Sequence, residues 1–78
     1  MADFILYGTE GCHLCEEAEE IVRLAGLSFD TQDIIDDQAL LQRYGIKIPV
    51  LAHPGRGLEL HWPFGPEQVL WLVAQTQA

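Results

Sequence analysis

Seventy-eight residues, 49% of them apolar, make one domain within the usual ~50–250 residue range and are too hydrophobic for disorder. Four Lys and Arg against twelve Asp and Glu give a net charge of −8, which excludes a phosphate-tracking nucleic-acid binder and disfavours an anionic membrane face. No apolar run approaches the ~20 residues of a membrane span, and "MADFILYG" lacks the basic region and long apolar stretch of a secretory signal, so a cytoplasmic protein is expected.

The run "FILY" (4–7), bounded by Asp3 and Gly8, predicts a strand buried on both faces. "CEEAEEIVRLAG" follows as a helix. Leu14, Ala18, Ile21, Val22 and Ala25 form its apolar stripe, Glu16 and Glu17 suit its N-terminal end, and Gly26 suits its close. Glu19 and Arg23, four apart, can pair across a turn. "SFDTQDI" (28–34) reads as a second strand, and Asp36 or Asp37 then caps a short helix through Tyr44, stopped by Gly45. "IPVLAH" is a strand entered through Pro49, "HPGRG" a turn, and "LELHW" a strand with Leu58, Leu60 and Trp62 on one face and Glu59 and His61 on the other. His53 and His61 are expected on the surface of that hairpin. Gly65 and Pro66 open the last helix, with Val69, Leu72 and Val73 as its core stripe and Leu70 at the edge. Trp71 falls on the opposite side. Either the "HWPFG" turn covers its indole, or it stands alone on the surface, or it anchors a partner or a second copy.

The order is β-α-β-α-β-β-α, a mixed, helix-covered α/β fold. A helical crossover makes the first two strands parallel, and a tight turn makes the last two antiparallel.

Both cysteines sit in "TEGCHLC" (9–15), between the first strand and the helix. Cys12 and Cys15 are three apart, so their sulfurs lie on nearly the same side and can close a disulfide with little backbone movement. A helix N-terminus offers free N–H groups and the positive end of the dipole, which favour a thiolate. Five nearby glutamates (10, 16, 17, 19 and 20) oppose this, and a protonated His13 would assist it. A modest net lowering of the thiol pKa is expected. Cys12, before the stripe, is the expected nucleophile, and Cys15, one turn in, the expected resolving thiol. A zinc site would need about four ligands, and there are no further cysteines to supply them.

"FILYGTEGCHLC" followed by a helix resembles the active-site start of glutaredoxins and thioredoxins, and "YGIKIPVL" resembles the segment carrying their cis-proline. In element order the resemblance covers essentially all 78 residues and is nearest to small bacterial glutaredoxin-like proteins. It implies a thioredoxin-like fold of one domain, residues 1–78, with a four-stranded sheet flanked by three helices. It also implies a cis bond at Ile48–Pro49, a substrate-docking edge at those two residues, and dithiol–disulfide exchange by Cys12 and Cys15 on a protein or small-molecule disulfide, with a separate reductase. Glutathione would be the co-substrate. Four departures count against it. His13 and Leu14 stand in place of Pro and Tyr, Thr9 in place of a cation, Lys47–Ile48 in place of Thr–Val, and "FGPEQ" in place of the Gly-Gly-Asp-type helix start. The expectation is a monomer without metal or resident cofactor. The competing readings are a redox-inactive binding or adaptor module on the same fold, and a metal or cluster carrier.

Overall fold

The computed structural model describes residues 3–76. Strand β1 (Phe4–Gly8) runs into helix α1 (His13–Leu24), then strand β2 (Phe29–Asp33), a 3-10 turn (Ile34–Asp36) and helix α2 (Gln38–Tyr44). Strand β3 (Val50–His53), a 3-10 turn (Pro54–Arg56), strand β4 (Leu58–His61) and helix α3 (Pro66–Gln75) complete the chain. The sheet order is β2-β1-β3-β4. β1 and β2 are parallel from Phe4–Phe29 to Gly8–Asp33. β3 is antiparallel to both β1, with Tyr7 opposite Val50, and β4, with Leu51 opposite Leu60. This is the thioredoxin-like arrangement.

The period of two along the central strands divides the interior. Phe4, Leu6 and Leu51 face α1 and α3, where they meet Ala18, Val22, Val69 and Leu72. Tyr7, Val50 and Ala52 face the other way, against Ile34 and Tyr44 at α2. β4 obeys the same alternation. Leu58, Leu60 and Trp62 join the first core, and Glu59 points to the second side, where it accepts a hydrogen bond from the Tyr44 hydroxyl.

The helix ends follow the chain chemistry. Asp37 Oδ1 caps α2 by accepting from the N–H groups of Ala39 and Leu40. Gly26, with φ +79°, closes α1 in a left-handed turn. Its N–H donates to the Arg23 carbonyl and that of Leu27 to the Val22 carbonyl. Pro66 begins α3, and the Gly65 N–H donates to Gln68 Oε1 at 2.8 Å.

Two expectations change, and one open choice narrows. Leu14 has the angle of the α1 stripe but sits in the first turn, beyond the end of the core, and is 45% exposed. His53 is half-buried rather than on the hairpin surface, because its ring stands edge-on to Phe4 at 4.9 Å between centroids. The turn before α3 does not cover Trp71. Trp62 and Phe64 pack on each other, and Trp71 stays 55% exposed. No helix among the described residues is long and apolar enough to cross a membrane.

Candidate functional site

The cysteine loop leaves the C-terminal end of β1 and turns back at once into α1. The turn closes with the Cys12 N–H donating to the Thr9 carbonyl at 3.3 Å. Gly11 supplies the φ of +81° this reversal requires, a value costly for a residue with a Cβ. The loop is tied across to β2. Asp33 accepts from the Glu10 N–H at 3.4 Å and the Ile35 N–H at 3.0 Å. The Ile35 N–H, with smaller help from Thr9 and Glu10, holds the Asp33 carboxyl below its ordinary value, so Asp33 is a fixed negative charge beside the loop.

Cys12 is the N-cap of α1. Its Sγ accepts from the Cys15 N–H at 3.2 Å, at the positive end of the helix dipole. Cys12 is half-buried and Cys15 buried, and both are free thiols. Burial, above all, pushes the Cys15 thiol up to about 11, with the hydrogen bond to Cys12 and the negative charges of Cys12 and Asp33 adding to it. Cys15 packs tightly on Gly8. A Cβ on Gly8 would stand 3.0 Å from Cys15 Sγ and 3.1 Å from Cys15 Cβ, closer than ordinary contact.

The Ile48–Pro49 bond is cis, as is Trp62–Pro63, for which the sequence held no expectation. The register that sets Tyr7 opposite Val50 brings Pro49 level with Gly8, the last residue before the cysteine loop. Pro49 is fully buried, and Ile48 packs half-buried against the second core. Their loop hangs from α2 through the Lys47 and Ile48 N–H groups, which both donate to the Tyr44 carbonyl. His13 opens α1 with its side chain 86% exposed and its Nδ1 3.8 Å from Glu16. Sequence reasoning missed Asp33 and the closeness of Gly8. Asp33 lies 23 residues from its partner in the loop, and no local pattern marks that pairing.

Beside Cys15 a cleft of about 200 Å³ opens between β1, α1 and β2. Gly8 and Cys15 line it together with Glu10, Glu16, Glu19 and Asp33, and no Lys or Arg does. Cys12 is not part of its wall. Among the described residues no three His, Cys, Asp or Glu side chains gather in a group that could hold a metal ion.

Comparison with known proteins agrees with this geometry. The glutaredoxin-like domain family (DUF836) matches residues 3–73. The X-ray structure of the X. campestris protein XcR50 is 42% identical, with a TM-score of 0.80, over 91% of this chain and 96% of that one. Its solution structure gives 43% identity and a TM-score of 0.79 over 95% of each chain. The solution structure of Ne2328 from Nitrosomonas europaea is 30% identical, with a TM-score of 0.70, over 78% of each chain. No curated protein matches significantly. The family match spans nearly all the described residues and the solved relatives share both sequence and fold, so the chain belongs to the glutaredoxin-like domain family.

Proposed function

We propose that the protein is a dithiol–disulfide oxidoreductase in which Cys12 is the nucleophile and Cys15 the resolving thiol. The observation that carries this reading is the Cys12 sulfur at the N-cap of α1, half-exposed and accepting the Cys15 N–H. Cys12, as thiolate, attacks one sulfur of a substrate disulfide. The substrate S–S bond breaks, a Cys12–substrate S–S bond forms, and the second substrate sulfur leaves as a thiolate that takes a proton. Cys15 then gives up its proton and attacks Cys12 Sγ. The substrate departs reduced, and a Cys12–Cys15 disulfide remains for a thiol reductant to reopen.

The raised Cys15 thiol fits this order. While Cys12 is a thiolate, its charge and hydrogen bond help to keep Cys15 protonated. Once Cys12 is in a mixed disulfide both influences are gone, and Cys15 ionises more readily at the step that needs it. Pro49, level with Gly8, and Ile48 form the edge on which the substrate chain docks, and His13, next to Cys12 in the chain, can add positive charge there. Glutathione is a poor fit, because its carboxylates would meet Thr9 and the acidic loop, and Pro66 has no N–H to offer an anion at the start of α3.

The test is mixed-disulfide trapping. Cys15→Ser protein incubated with a protein disulfide should accumulate a covalent adduct at Cys12, and Cys12→Ser protein should accumulate little. Adducts of equal yield in both variants, or in neither, would refute the assignment.

A further inference from the structure

Disulfide exchange is a displacement in line with the breaking S–S bond, so each sulfur of the pair needs its own open approach. For Cys12 that approach is from solvent. Cys15 is 8% exposed and faces the β1 end, yet it forms part of the wall of the 200 Å³ cleft, on a side of the loop where Cys12 takes no part. The absence of a side chain on Gly8 keeps this route open. A methyl there would stand 3.0 Å from Cys15 Sγ, and both residues line the cleft. The cleft is smaller than the ~300–1,000 Å³ of typical ligand sites and cannot seat a peptide. It has room for a molecule of a few heavy atoms.

The wall selects by charge. Asp33 is held ionised by the Ile35 N–H and by the loop it anchors. Glu10 and Glu16 add to its field, while Glu19 is partly neutralised by Arg23 at 2.7 Å. A cleft with walls of one sign raises the local concentration of the opposite sign and repels its own. Building on the oxidoreductase reading, we infer that this cleft is a second entrance to the site, through which a small neutral or cationic thiol reaches Cys15 and reduces the pair.

The entering thiol R–SH loses its proton and attacks Cys15 Sγ of the Cys12–Cys15 disulfide. That S–S bond breaks, an R–S–S–Cys15 bond forms, and Cys12 leaves as a thiolate into its N-cap position, where the Cys15 N–H receives it. A second R–SH attacks the R sulfur, releases R–S–S–R and leaves Cys15 to take a proton. Two thiols are oxidised and the protein pair is reduced by two electrons. Substrate and reductant therefore use different sulfurs and different faces of the loop.

The test needs no turnover. Reduced Cys12→Ser protein is mixed with cystamine, a cationic disulfide, or with dithiodipropionate, its anionic counterpart, and exchange at Cys15 is followed by mass. Cystamine should react about tenfold faster or more, as focusing by a charged cleft predicts, and added salt should shrink the ratio. In Cys15→Ser protein the same ratio at Cys12 should be smaller. Gly8→Ala should slow exchange at Cys15 with cystamine, because its Cβ would stand 3.0 Å from Cys15 Sγ. Thr31→Trp, at an exposed position of the cleft wall on β2, crowds the cleft from the side opposite α1 and should do the same if Gly8→Ala folds poorly. Equal rates for the two reagents, an equal ratio at both sulfurs, or undiminished exchange in Thr31→Trp would overturn the proposal. If the cleft passes and mixed-disulfide trapping at Cys12 fails, the oxidoreductase reading falls alone, and the reverse pattern removes only the cleft.

Discussion

The Cys12 and Cys15 thiols are chemically identical and three residues apart, and nearly everything that distinguishes them comes from the first turn of α1. One sulfur is outside the helix and receives an N–H. The other is inside, against Gly8. Alkylation of the reduced protein should therefore modify Cys12 first. The rate at Cys15 should continue to climb toward pH 11, because only the thiolate reacts and burial holds Cys15 protonated up to about 11. Equal rates at the two thiols near neutral pH would contradict this. The acidic loop also predicts weak glutathione binding, with a dissociation constant above roughly 1 mM by chemical-shift titration. A micromolar constant would restore glutathione as the co-substrate. The placement of the two cysteines was legible from spacing alone, since a CxxC after a strand fixes which residue precedes the helix and which lies inside it. The tie from Asp33 to Glu10 was not. It joins residues far apart in sequence, and such pairing is decided by strand register, which no local pattern reveals.

At the scale of elements, α3 separates packing from exposure within one turn. Val69 and Leu72 are completely buried, whereas Leu70 and Trp71 are both 55% exposed. Leu72→Ala should cost about 2–5 kcal/mol, a large share of the total for a chain this size. Trp71→Ala should cost only about 0.5 kcal/mol or less in the monomer. Urea melts of the two variants measure this directly, and a Trp71→Ala loss equal to that of Leu72→Ala would mean the helix is rotated. This face was readable from the 100° period because the stripe runs the length of the helix. Period alone failed for Leu14, whose angle is right but whose position is past the core. The surface placement of His53 failed for another reason, since its partner Phe4 comes from the far end of the chain. The Tyr44–Glu59 hydrogen bond was hidden for a similar reason. "LELH" shows that Glu59 leaves the first core, but not that it arrives beside a buried tyrosine on α2.

For the whole molecule, these buried and bonded groups set how stability responds to pH. Cys15 and Tyr44 hold their protons more tightly in the folded chain. Burial, first of all, raises them from 9.0 to about 11 and from 10.0 to about 12. Their contribution is complete below pH 9 and is lost as pH rises through 11 and 12. Glu59, lowered chiefly by the Tyr44 hydroxyl, and Asp33, lowered chiefly by the Ile35 N–H, act in the opposite sense. They stabilise when ionised, and that is lost as pH falls below 4.5 and 3.8 respectively. Denaturation midpoints across pH should form a plateau between these limits. A midpoint that rises between pH 9 and 11 would contradict the buried thiol. The central claim, that Cys12 and Cys15 work as a redox pair, is tested most directly by equilibrating the protein in thiol–disulfide buffers of known potential and measuring the fraction oxidised. The account predicts a reversible two-electron transition between about −200 and −270 mV, the range of working glutaredoxins and thioredoxins. A pair that forms no disulfide, or one locked below about −300 mV as structural disulfides are, would contradict it.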